Sequence, residues 1–101
     1  MPKIFEYLGI IIMFYSNEHE PIHVHGKYQS WESKAEIIIK DGKIIAIKIK
    51  EVKGRKPLQN KELKEFQNFV EKFKEDIVQK WIDYFVYHKS INCIKIEGRV
   101  K

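Results

Sequence analysis

The sequence predicts a small α+β domain, a curved antiparallel sheet of about four to five strands with one long amphipathic helix packed across a face. Two patterns and the chain length point there. Up to about residue 51 the chain is built of strand-sized apolar or alternating pieces separated by turn residues. In the second half Leu63, Phe66, Phe69, Val70, Phe73, Ile77, Trp81 and Phe85 recur at spacings of three and four, which is one face of a helix. At 101 residues the chain is long enough for one hydrophobic core and too short for two, so residues 1–101 are read as a single domain.

The first strand is expected over Ile4–Tyr15, with a bulge or close approach at Gly9. Its apolar residues occupy both faces, which implies a central strand or one covered on both sides. Residues 16–21 form a loop, and Ile22–Tyr28 returns as the second strand of an antiparallel hairpin. Residues 33–39 and 43–51 are the third and fourth strands around Asp41-Gly42. Parity favours a three-residue loop, Lys40-Asp41-Gly42, which sets Ile37 opposite Ile45 and Ala35 opposite Ile47, with Gly42 at the left-handed position of a bulge. A two-residue loop would instead oppose Ile37 with Ala46.

Lys53-Gly54-Arg55-Lys56-Pro57 reads as a solvated basic linker and is a poor phosphate loop. Asn60 is expected to cap the helix, with Glu62 and Glu65 near its positive end. Leu63, Phe66, Val70, Phe73 and Ile77 are expected to be buried on the sheet. No proline or glycine interrupts the chain from Lys61 to about Tyr87, and a straight helix of that length would overhang a four-strand sheet. Either the helix breaks before Asp83 or its far end packs on something else; the aromatic end, Trp81 and Phe85, caps the core or, together with the last strand at Ile91–Glu97, joins a homodimer.

The chain carries 19 Lys and Arg against 14 Asp and Glu, a net charge of +5 that favours an acidic partner. Only two of these cations are Arg, which disfavours base-specific reading of duplex DNA. The single cysteine, Cys93, excludes an internal disulfide and fits a reducing cytoplasm. No apolar run approaches the roughly 20 residues of a membrane helix, so no membrane contact is expected. Nothing after Met1-Pro2-Lys3 resembles a signal peptide.

The chemistry concentrates in Asn17–Tyr28, where three of the four histidines fall within seven residues. Beyond Pro21 the order Ile22, His23, Val24, His25 puts the two imidazoles on one face of a strand. Three readings of His19, His23 and His25 stand open. They are ligands of a zinc-like ion; they are an acid–base set for metal-free RNA cleavage, with Lys27, Tyr28 and Arg55 contacting phosphate; or they fill a polar face and do no chemistry.

The opening Met1-Pro2-Lys3-Ile4, then Tyr7-x-Gly9-Ile10, then Glu18-His19-Glu20-Pro21-Ile22-His23-Val24-His25 with Tyr28, resemble the domain-of-unknown-function family four-one-six-zero. Those small bacterial proteins carry a D-H-x-P-P-H-F-H-A signature. This chain departs from it at Glu18, Ile22, Val24 and Gly26 and keeps all three histidines. The resemblance implies no reaction. It does imply a setting, a toxin–antitoxin-like pair, and with it a small cognate protein partner and RNA as the target. The expected function is RNA binding or cleavage through the histidine site without a cofactor. The alternative is a metal-binding or protein-interaction module that uses the same histidines.

Overall fold

The computed structural model describes residues 3–15 and 21–100. Six strands and one helix follow in the order β1 (Lys3–Tyr7), β2 (Ile10–Met13), β3 (His23–Tyr28), β4 (Trp31–Lys40), β5 (Lys43–Glu51), α1 (Asn60–Phe85) and β6 (Ile94–Ile96). They form one sheet, ordered β5-β4-β3-β2-β1-β6. The first five strands are an antiparallel meander, and β6 adds in parallel to β1 after the helix has carried the chain back across the sheet. The α+β class is as expected, but the sheet is mixed and has one strand more.

The additional strand comes from the expected Ile4–Tyr15 segment, which is a hairpin. Leu8 and Gly9 lie at φ 50° and 81°, and Tyr7 pairs with Ile10 across this two-residue turn. Two successive positive φ values match the right-handed twist of the strands they join. The apolar run conceals the turn because Leu8 is an uncommon residue there. Gly9 is therefore part of the turn and not a bulge, and the expected close approach there is that of the Tyr28 ring, 3.2 Å from where a Cβ would lie.

The β4–β5 register also differs from expectation. Asp41 and Gly42 (φ 53° and 77°) form a two-residue turn in which Lys40 pairs with Lys43 and Ile39 with Ile44. The register then shifts, so that Ile38 pairs with Ala46, Ile37 with Ile47 and Ala35 with Ile49. Ile45 is the extra residue and is 59% exposed. The apolar set does stay on one face, with Ile37 opposite Ile47 and Ala35 opposite Ile49. A bulge at Ile45 within β5 achieves this, and Ile37 does not face Ile45.

The helix packs on the sheet face that carries Ile10, Ile12, Val24, Ala35 and Ile37, all buried in one cluster with Phe66, Phe69, Val70 and Ile77. Of the five residues expected there, Phe66, Val70 and Ile77 are fully buried, whereas Leu63 and Phe73 are half-buried at its margin. Phe73 has non-helical backbone angles (φ −108°, ψ 18°) and kinks the helix. The expected cap is displaced as well: Gln59 occupies the capping position without a side-chain hydrogen bond, and Asn60 follows at φ 30°. Beyond the kink the helix continues to Phe85. Trp81, 4% exposed, packs on Phe14, Phe85 and His23, so it caps the core. Among the described residues no helix is long and apolar enough to cross a membrane.

Candidate functional site

Strand β3 separates two environments. On one side Gly26 lies against the helix so closely that a Cβ there would come within 2.5 Å of the Phe66 ring. Parity directs His25 and Lys27 to the other side, the helix-free face. Across the strands His25 pairs with Met13 and Lys34, and Lys27 pairs with Ile11 and Glu32.

Glu32 organises this face. It is 0% exposed, and its Oε2 accepts hydrogen bonds from His25 Nδ1 at 2.9 Å and from the Tyr15 hydroxyl. The Tyr15 ring stacks on His25 at 4.0 Å between centroids and 15° between planes. Oε1 makes no hydrogen bond among the described residues and faces Arg55 Nε at 3.8 Å. A buried carboxylate loses several kcal/mol of hydration, which two charge-assisted hydrogen bonds and a nearby guanidinium offset. Arg55 reaches it because the 53–57 linker is stitched to the start of β4: Glu32 N–H donates to the Lys56 carbonyl at 2.8 Å, and Leu58 N–H to Ser33 Oγ at 3.0 Å. The linker thus carries one of the site's cations and is more than a solvated connection.

His23 lies next along the strand, its ring 5.3 Å from that of His25 and 5.5 Å from that of Trp81. Its Nδ1 is 2.8 Å from the Pro21 carbonyl. A carbonyl only accepts, so Nδ1 is the donor and the lone pair of the neutral ring lies on Nε2. The Glu32 carboxylate imposes the same tautomer on His25. Both imidazoles are thus set with Nε2 as the basic nitrogen, an arrangement suited to proton transfer and equally to metal ligation.

Of the residues singled out in the sequence, His25 and Arg55 meet at Glu32, Lys27 is its direct cross-strand partner, and His23 lies against the His25 ring. Tyr28 does not: it lies on the helix side against Gly9, in a 230 Å³ recess with Leu8, Ile10, Lys61, Glu62, Glu65 and Arg99. His19 lies outside the described residues, as does Glu18. The described residues contain no group of three or more potential metal ligands. Glu32 and Tyr15 belong to this candidate site and were not singled out in the sequence. A two-residue turn at Gln29-Ser30, which pairs Tyr28 with Trp31, puts Glu32 diagonally beside His25, and extending β4 back to that turn would have revealed it.

Residues 9–82 match the family described as Domain of unknown function (DUF4160), and the chain belongs to that family. The match spans β2 to Trp81 and so includes His23, His25 and Glu32. Neither the curated proteins nor the solved structures gave a match.

Proposed function

We propose that this protein is the RNA-cleaving or RNA-binding member of a toxin–antitoxin-like pair, with His25 as its central acid–base group. The observation that carries this reading is the hold of buried Glu32 on His25 Nδ1 at 2.9 Å. A carboxylate on one imidazole nitrogen orients the ring and stabilises the imidazolium formed when the other nitrogen takes a proton.

In the step this supports, His25 Nε2 removes the proton of a ribose 2′-hydroxyl, and the oxygen attacks the adjacent phosphorus. The bond from phosphorus to the 5′-oxygen breaks, and protonated His23 supplies the proton that the leaving oxygen requires. The products are a 2′,3′-cyclic phosphate and a 5′-hydroxyl. Lys27 and Arg55 offset the charge that develops on the phosphoryl oxygens. His25 is only 4% exposed, so a substrate meets no more than an edge of its ring.

The test is induced expression followed by growth and RNA integrity, with cleavage assayed on purified protein. His25→Ala and His23→Ala should each lower the cleavage rate by about 10²–10⁴-fold without unfolding the domain. Equal growth and equally intact RNA for wild type and the double variant would refute catalysis by this chain acting alone.

A second reading rests on the shared tautomer. Histidines that hold a metal donate their other nitrogen to oxygen, as both rings do here. His23, His25 and His19 would then bind a zinc-like ion, with at most micromolar affinity because all three come from one short segment, and binding would be lost below about pH 5.5. A stoichiometric metal that survives purification with chelator would favour this reading over the first.

A further inference from the structure

The pairings across the sheet align Lys3, Met13, His25, Lys34 and Lys50 into one row that crosses β1 to β5. All five belong to the helix-free face, because directly paired residues point the same way. Lys3 and Lys50 are exposed and Lys34 is half-buried, whereas Met13 and His25 between them are buried, 5% and 4% exposed. His25 is at the centre, with Lys3 beyond Met13 on one side and Lys34 then Lys50 on the other. The row contains no carboxylate. Lys34 and Lys50 are direct cross-strand partners, a like-charge pairing relieved at the Lys50 end by the Glu36 carboxylate 3.8 Å away.

Among the described residues, one carboxylate of this face reaches a lysine of the row, and it does so at Lys50. Glu36 is in the next row, opposite Lys48, with its Oε1 3.8 Å from Lys50 Nζ. Glu32 is committed to His25, Tyr15 and Arg55. Glu6 pairs with Lys95 and Ile11 at the far side of the sheet. Four inter-strand steps give the row a length of about 19 Å, enough for a short stretch of extended polynucleotide.

We infer that this row is a phosphate-binding track that lays single-stranded RNA across the strands, with Lys34 and Lys50 holding the backbone on one side of His25 and Lys3 on the other. The inference rests on the proposed RNA-directed function and specifies how the substrate is bound. It predicts binding that is electrostatic, tolerant of base sequence and selective for one face of the molecule. Lysines, as flexible point charges, suit backbone contact and not base reading.

The test measures binding apart from cleavage, using a fluorescent 12-mer of 2′-O-methyl oligouridine, whose blocked 2′-oxygen cannot attack phosphorus, in an anisotropy titration at several salt concentrations. The full-length Lys34→Ala/Lys50→Ala variant should bind roughly tenfold more weakly and lose about 1.4 from the salt slope, near 0.7 per lost phosphate contact. Lys64→Ala/Lys72→Ala, on the exposed helix surface, should bind as wild type does. Thermal unfolding of the Lys34/Lys50 variant should be little changed, since the like-charge pair and the Glu36–Lys50 ion pair are removed together.

Equal losses for the two lysine pairs, or no binding by wild type, would overturn the track. So would a fall in the unfolding temperature that accounts for the lost affinity. Because the probe cannot be cut, the two ideas fail separately. Face-selective binding without cleavage of ordinary RNA supports the track and removes the acid–base role of His25. Cleavage that is indifferent to Lys34 and Lys50 leaves that role intact and removes the track.

Discussion

Two Tyr–Glu–Arg clusters lie on opposite faces of the sheet, and they differ in what the carboxylate holds. On the helix side, Glu65 accepts a hydrogen bond from the Tyr7 hydroxyl at 3.2 Å and pairs with Arg99 at 3.1 Å. Tyr7 in turn accepts one from the Val100 N–H at 2.9 Å. Every partner there is a phenol, a guanidinium or backbone, so the cluster fastens the end of the chain to β1 and α1. On the other side Glu32, Tyr15 and Arg55 repeat the pattern, but the carboxylate also holds His25. A buried carboxylate with its cation is by itself structural. The imidazole, which can gain or lose a proton near neutral pH, turns the second cluster into a candidate for chemistry.

The sharpest way to break the comparison is to remove the two charges in turn. Glu32→Gln should lower RNA cleavage by about 10²-fold, because an amide holds the ring but does not stabilise the imidazolium. It should also change the pH profile of the residual rate. Glu65→Gln should leave rate and profile unchanged and lower only the unfolding midpoint. Equal effects of both substitutions on activity would make Glu32 as structural as Glu65.

Next in size is Gly26→Ala, which acts on the strand between the clusters. Its methyl group would press on the Phe66 ring from 2.5 Å, and overpacking of this kind costs about 1–3 kcal/mol. Denaturant unfolding should register that loss, while the folded fraction keeps its activity because the displaced atoms lie on the helix side. A matching loss of specific activity would mean that the two faces are coupled through β3.

The smallest effect concerns Tyr7. Burial, and then the nearby Glu65 carboxylate, push its hydroxyl above the ordinary tyrosine value of 10.0, against the lowering influence of the Val100 N–H and Arg99. A group raised on folding contributes its full stability below the unfolded value and loses it as pH rises from there through the folded one. Wild type should therefore weaken above about pH 10, and Tyr7→Phe should lack that part of the decline while being about 1 kcal/mol less stable at pH 7. Urea unfolding at both pH values checks this; parallel curves for the two proteins would show that Tyr7 is not the group responsible.

The sequence by itself determined which residues are apolar in which period, and that was enough for the α+β class, the long helix, the central place of the Ile10–Met13 segment and the shared face of His23 and His25. These are local properties: a period of two or of about 3.6 is written into neighbouring residues. What lay beyond it was set by competition between segments. The Leu8-Gly9 turn, the bulge at Ile45 and the parallel placement of β6 are decided by what each strand must pair with and bury. The site divides in the same way. His23 and His25 were legible because they are two residues apart, whereas Glu32 and Arg55 meet His25 only after a hairpin and a stitched-back linker bring them together. Tertiary structure alone decides such meetings, because a buried carboxylate is tolerable only where its hydrogen-bond donors and its cation converge on it.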